Sequence, residues 1–178
     1  MSISEVFPEI DEIEDVELRD RTSRCLEGAI KQGGWTDTDL ERIPFTLLFP
    51  KCPVSLVQHT RAIAKLSLKA YDLFVEDYSD YYTLNRDYLV AGALLHDVGK
   101  FLEYKKDGDW FSKSDNGKVL RHPFSGANIA AVYGLPDEVV HIIAVHAHEG
   151  DSGYRTPEAW IVNHADFMNF EPLRDIFK

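Results

Sequence analysis

Leu89-Val90-Ala91-Gly92-Ala93-Leu94-Leu95-His96-Asp97-Val98-Gly99-Lys100 is the stretch on which the reading of this chain turns. From Leu89 to Leu95 the run is apolar or small throughout, as in a helix buried on all sides, so it is read as core within a helix over 87–100. His96 and Asp97 end that helix. Neighbouring helical residues point about 100° apart, yet one metal ion can take both when it sits at a helix end. The carboxylate can then bridge to a second ion.

Working toward the N-terminus, Pro50-Lys51-Cys52-Pro53 opens a long amphipathic helix over 53–76, and 78–84 is a polar, aromatic loop. Ile13, Val16, Leu18, Leu26 and Ile30 recur at helical spacing over 11–31, and Gly33-Gly34 stops that helix. Thr38 caps a short turn over 39–43. The acidic run from Glu9 to Glu17 reads as a solvated helix face. On the other side, 104–121 changes character. Asp107-Gly108 and Asn116-Gly117 are turn signals around Trp110-Phe111 and Val119-Leu120, which predicts one small β-hairpin. Helices follow over 123–133, ending at Gly134, over 136–148 with proline at a favoured first position, and over 157–169 beyond a glycine-rich loop. The fold class is all-α, a helical bundle with at most one hairpin. Residues 1–178 are expected to form one domain, with a helical lead over about 1–50 and a core over about 53–169.

The 178 residues suffice for a sizeable core, and the formal net charge of −11 argues against a general binder of nucleic acid or anionic membrane. A small phosphorylated substrate remains compatible, because a local pocket can be positive on an acidic protein. Cys25 and Cys52 form neither a disulfide framework nor a Cys-X-X-Cys pair, so a reduced chain is expected. The start of the chain has no basic and then apolar segment, and no apolar run reaches membrane-spanning length, so the expected location is the cytoplasm.

Chemistry concentrates in five of the seven histidines, His59, His96, His122, His146 and His148, with Asp97 and Asp166. Imidazole and carboxylate together suit Mn, Fe, Co, Ni or Zn better than a purely oxygen-seeking cation. The residues lie on separate segments, and helical bundles build metal sites from inward-facing side chains on several helices. His146 and His148 are two apart and face different sides of a helix unless it has ended, and His146 is read as ligand and His148 as a supporting or substrate-binding group. His141 and His164 are not expected to be ligands, since His164 lies two residues from Asp166. Arg61 stands in the same relation to His59, which argues against a direct phosphate role. Lys118 and Arg121 lie near His122, where they can recruit phosphate. Tyr104, Trp110, Phe111 and Tyr154 are pocket-lining candidates, though aromatic residues more often pack.

The order His59, His96-Asp97, Asp166 resembles the metal signature of the HD-domain superfamily. Leu94-Leu95-His96-Asp97-Val98-Gly99-Lys100 is similar to its His-Asp-X-Gly-Lys form. His122-Pro123-Phe124-Ser125-Gly126-Ala127 resembles the next histidine segment, and Asn163-His164-Ala165-Asp166 the closing Ala-Asp. The resemblance covers about 53–169. It implies that His59, His96, Asp97 and Asp166 hold a first ion. In two-metal members Asp97 bridges while His122 and His146 hold the second. Lys100 matches the residue that contacts and polarises the substrate phosphate.

These residues point to a metal-dependent phosphohydrolase acting on a nucleotide-like mono- or diester. Paired ions lower the pKa of water and stabilise attacking and leaving oxygens, and an ammonium one turn beyond the ligands complements charge on phosphoryl oxygens. Asp97 and Lys100 are the expected catalytic residues; Lys100, His148 and Arg121 are the expected substrate contacts. The cyclic-dinucleotide phosphodiesterases of the HD-GYP group are partly similar. However, Ala147 separates the two histidines, and Arg155 stands where their Gly-Tyr-Pro loop has proline, so that substrate is not assigned. The same ligand set also resembles diiron oxygenases of the superfamily, such as myo-inositol oxygenase and a phosphonate-cleaving enzyme. A sensing module with vestigial catalysis fits less well, since none of the core ligands is missing.

Overall fold

The protein is described by a computed structural model over residues 2–49 and 52–177. The first half of the expected Pro50–Pro53 helix opening lies outside the described residues. The chain begins with α1 (Ile3–Val6) and a 3-10 turn (Pro8–Glu12), followed by α2 (Val16–Gly33) and α3 (Asp37–Leu40). Next come α4 (Leu56–Tyr78), α5 (Arg86–Leu95) and α6 (Lys100–Glu103). Strands β1 (Tyr104–Asp107) and β2 (Trp110–Lys113) pair antiparallel, with Asp107 opposite Trp110. The chain continues through α7 (Asp115–Val119), α8 (His122–Val132), α9 (Asp137–Val145), a second 3-10 turn (His148–Gly150) and α10 (Pro157–Phe177).

The apolar run behaves as its composition dictates. Every residue from Leu89 to Leu95 is buried, and α5 forms the centre, packed by α2, α4, α9 and α10. A helix with no polar face gains most when every side is covered, at about 1.5–3 kcal/mol per fully buried large aliphatic side chain. The helix stops at His96, earlier than the expected Lys100. The chain makes one turn and restarts as α6, which puts Asp97 in the turn itself.

Several boundaries differ from expectation, each for a local reason. The first long helix starts at Val16, not 11, because the Asp15 carboxylate caps Glu17 and Leu18. Asp87 on α5 also takes the N–H groups of Glu14 and Asp15 at 3.0 and 2.8 Å. The acidic run is solvent-exposed at Asp11, Glu12, Glu14, Asp15 and Glu17, as expected, but it is split between the 3-10 turn and the start of α2 rather than forming one helix face. Glu9 is buried and accepts from Arg61 Nε at 3.1 Å, while Ile10 and Ile13 enter the core. The short turn is capped by Thr36 rather than Thr38. The long helix begins at Leu56, where Ser55 and Gln58 form a capping box.

The hairpin is present but shorter than 104–121. Gly108, at φ +58°, makes its turn, whereas Asn116-Gly117 lies inside α7. Gly117 serves there as a point of close approach: a Cβ would stand 2.1 Å from the carbonyl oxygen of Glu103. The last helix runs past the expected 169 to Phe177, through Pro172. Aromatic packing accounts for this. Phe170 meets Phe45 and Phe49 edge-on and tilted at 6.2 and 6.4 Å, and Phe177 stacks on Phe49 at 6.1 Å. Such contacts offset the roughly 3 kcal/mol that an interior proline costs. Among the described residues no helix is long and apolar enough to cross a membrane.

Candidate metal centre

Asp97 is 2% exposed and sits among four histidines. Its two oxygens face different pairs. Oδ2 lies 3.4 Å from both His59 Nε2 and His96 Nε2. Oδ1 lies 3.3 Å from His122 Nε2 and 3.6 Å from His146 Nε2. Asp166 joins the first side, with Oδ1 3.1 Å from His59 Nε2. The ligand atoms of His59, His96 and Asp97 are close enough to share one ion, and so are those of Asp97, His122 and His146.

The histidines are aimed by their other nitrogen. His96 Nδ1 donates to Ala93 O at 2.7 Å and His146 Nδ1 to Ile143 O at 2.8 Å. Each stands at the end of its helix, where carbonyls lack a helical partner. His59 Nδ1 donates to Asn169 Oδ1 at 2.8 Å, and His122 Nδ1 to Glu103 Oε2 at 3.0 Å. These acceptors place the proton on Nδ1 in all four rings and turn the Nε2 lone pair toward Asp97.

That arrangement fits metal ions. His59 Nε2 and His96 Nε2 are 3.2 Å apart, a separation that calls for a cation or proton between them. Asp97 Oδ1 and His146 Nε2 are buried with no hydrogen-bond partner. Such orphans are costly unless something is coordinated there. The electrostatics agree. Burial disfavours charge on His59, yet Asp166 and Asp97 overcome it and push its pKa up to about 9. Burial would raise the Asp97 and Asp166 carboxyls, but the cations and imidazoles around them hold both well below the usual range. Burial lowers His96, and lowers His122 to about 4. The cluster is a buried well for positive charge.

A cleft of about 180 Å³ opens onto the cluster, reaching His122 and Asp166. Lys100, Lys113, Arg121 and His148, together with the Glu103 carboxylate, give its polar lining; Phe45, Phe167 and Phe170 give apolar walls. A larger groove of about 430 Å³ between α4 and α10, lined by Phe74, Trp160 and Met168, contains none of the residues of the cluster. Lys100 Nζ donates to Asp97 Oδ2 and to Phe45 O, each at 2.6 Å. Burial alone would lower the Lys100 pKa; Asp97 raises it, so the ammonium stays charged. Phe45 stacks on the His59 ring with centroids 4.5 Å apart. Its loop is fixed by a bridge between Pro44 and Ser55.

Of the other residues singled out from the sequence, Arg121 donates to Glu103 Oε1 and to Glu149 Oε1 at 2.5 and 3.0 Å. His148 is exposed, donates from Nδ1 to Asp151 Oδ2 at 2.9 Å, and lies 4.9 Å from the Phe167 ring. Arg155 ties Val145 O and Ala147 O together at 2.8 and 3.0 Å, so it braces the turn that carries His146 and His148. Lys118 pairs with Asp115 outside the cleft, and Arg61 is taken by Glu9. His141 accepts from Thr156 N and His164 stacks on Trp160, both away from the cluster. Tyr104 lines the cleft; Trp110 borders another groove, Phe111 is buried against Trp35, and Tyr154 is exposed.

Sequence reasoning overlooked Asn169, Glu103, Lys113 and Phe45. Asn169 follows Asp166, and Glu103 follows Lys100, at three residues, a helical spacing that was legible. Phe45 and Lys113 arrive from other segments with no local signal.

The HD domain family matches residues 56–168. The chain belongs to the HD domain family. The HD domain thus begins with α4 and closes in α10, and the loop bearing Phe45 lies ahead of it. The chain is similar to a dihydroneopterin 2',3'-cyclic phosphate phosphodiesterase of Methanocaldococcus jannaschii, at 32% identity over 88% of this chain and 64% of that protein. It is also similar to ribonuclease Y of Fervidobacterium nodosum, at 35% identity over 48% of this chain and 14% of that one. Ribonuclease Y of Acidothermus cellulolyticus matches at 37% over 44% of this chain and 13% of its own length. The chain therefore spans under two thirds of the length of these relatives. No solved structure matches it.

Proposed function

We propose that this HD domain hydrolyses a small phosphodiester, with a cyclic phosphate of a compact heterocyclic alcohol as the first candidate. The observation that carries the reading is the division of the Asp97 oxygens between two histidine pairs. His59, His96, Asp97 and Asp166 would hold one divalent transition ion, and Asp97, His122 and His146 a second. When bound, the ions supply Lewis acidity and lower the pKa of water near neutrality.

The chain's own residues do the rest. Lys100 has spent two of its three N–H donors on Asp97 and Phe45, and the third is left for a phosphoryl oxygen. Asp97, pinned by that ammonium, keeps one rotamer. Arg121 and His148 hold the remaining charge and the alcohol portion at the cleft mouth. Phe45, Phe167 and Phe170 exclude water from one side. Water adds across the P–O ester bond, so the diester opens to a monoester and a hydroxyl.

The dihydroneopterin relative supports a cyclic diester. The narrow cleft and the net charge of −11 favour a small substrate over an RNA polymer, despite the ribonuclease relatives. The oxygenase alternative uses the same ligand set, but three cations in the cleft suit phosphate, and the reactions named for the relatives are hydrolytic. We further read residues 1–178 as one domain, since the loop bearing Phe45 walls the cleft. A cytoplasmic location suits two buried, unpaired cysteines. The test is an anaerobic screen with Mn(II) or Co(II) of 2',3'-cyclic, 3',5'-cyclic and linear phosphate esters, read by mass. Monoester formed from a cyclic substrate supports the proposal. Turnover that requires dioxygen and iron overturns it.

A further inference from the structure

We propose that Glu103 is a positioning residue that serves two parts of the site through its two oxygens, fixing a ligand of the second ion and holding the cationic rim of the cleft. The inference rests on the two-ion reading above.

Glu103 is 1% exposed, at the end of α6. Oε2 accepts from His122 twice, from the backbone N at 2.7 Å and from Nδ1 at 3.0 Å. Oε1 accepts from Arg121 Nη1 at 2.5 Å and pairs with Lys113 Nζ at 3.3 Å. A buried carboxylate must be matched by donors, and here the match is complete and divided. Two cations on one oxygen are thereby held at the rim, where Arg121, which also pairs with Glu149, and Lys113 are each less than half exposed and line the cleft. Two hydrogen bonds on the other oxygen leave His122 one orientation, with Nε2 toward Asp97.

The carboxylate is itself held. Glu103 O accepts from Ser114 N at 2.8 Å, and Gly117 packs too closely against the same carbonyl to admit a Cβ. The segment after the hairpin thus clamps Glu103 from outside while His122 and Arg121 draw on it from inside. Outer partners of metal-bound histidines commonly change metal affinity 10- to 100-fold.

The test is calorimetric titration of the full chain with Mn(II) chloride. Wild type is expected to bind two ions. Glu103→Gln, which cannot accept on both oxygens, is expected to weaken one ion by about 10- to 100-fold and leave the other within about threefold. The double variant Lys113→Met, Arg121→Met is expected to keep both affinities but raise KM for a phosphodiester. Equal weakening of both ions in Glu103→Gln, or no weakening of either, overturns the assignment. If Glu103→Gln does not fold, Glu103→Asp decides on the same criterion, with a smaller loss at one ion only. Wild type binding a single ion would instead remove the two-ion reading itself.

Discussion

Lys100 Nζ lies 2.6 Å from Asp97 Oδ2, with both groups buried and three residues apart in the chain. The lysine of the His-Asp-X-Gly-Lys string is therefore first a partner of the carboxylate beside it, with one of its three donors left over. The relation restrains Asp97 to the rotamer in which Oδ1 and Oδ2 face separate histidine pairs.

Lys100→Met keeps the stem and removes the charge. Turnover is expected to fall about 10²- to 10³-fold, the range for losing one preorganised charge donor. Bound metal, measured by elemental analysis, is expected to stay at the wild-type level, because Lys100 is no ligand. Unchanged turnover would remove Lys100 from the mechanism.

Phe45 is fully buried between His59 and the aromatic residues of α10. Phe45→Ala leaves a cavity at a junction that cannot easily collapse, and is expected to cost about 3–5 kcal/mol. For a chain of this size that lowers Tm by on the order of 10 °C. A shift below about 2 °C would mean that the lead segment does not brace the site.

Gly99→Ala tests why the motif has glycine. A Cβ there would stand 2.1 Å from His122 O and 2.7 Å from Gly126 N, both backbone atoms that cannot swing aside. α6 would have to move off α8, at about 1–3 kcal/mol or more. Reduced Tm is expected together with weaker binding at the ion that His122 serves. An unchanged melting curve would contradict the close packing of these helices.

Asp166→Ala and His164→Ala separate the two faces of α10. The first is expected to lose an ion, and the second, stacked on Trp160 in the outer groove, to retain the full complement. Loss of metal from His164→Ala would contradict this geometry.

Asp39 provides a stability signal in acid away from the metal centre. Burial opposes its charge, but Lys106 and the Thr36 hydroxyl and N–H overcome that and lower its pKa from 3.8 to about 2. The folded-state value lies below the unfolded one, so the stabilisation is complete above about pH 4 and disappears as the pH falls toward about 2. Allowing for solvent screening by the half-exposed Lys106, it amounts to about 1 kcal/mol. The Tm difference between wild type and Asp39→Asn is expected to shrink across that window; a constant difference would rule the carboxylate out as its source.

The helical class was legible because it rests on local patterns, and the histidines and aspartates that gather around Asp97 were legible through the family resemblance. An apolar run that ends in His96-Asp97 declares a buried helix with a polar terminus, and three-residue spacing places Lys100 beside Asp97. Helix ends were less legible. Asp15 and Ser55 moved the starts by capping, and Phe170 carried the last helix beyond its expected stop.

By itself the sequence determined which side chains could bind metal and which helices would bring them inward, since hydrophobic periodicity and ligand chemistry are properties of short segments. Only the tertiary structure decided the distances between them and which other side chains hold them in place. The split of Asp97 between two histidine pairs, the two-sided grip of Glu103 on His122 and Arg121, and the Phe45 wall over His59 each join segments far apart in the chain. Such contacts are set by how buried helices pack and by the demand that each buried polar atom find a partner, and neither is written in the local pattern.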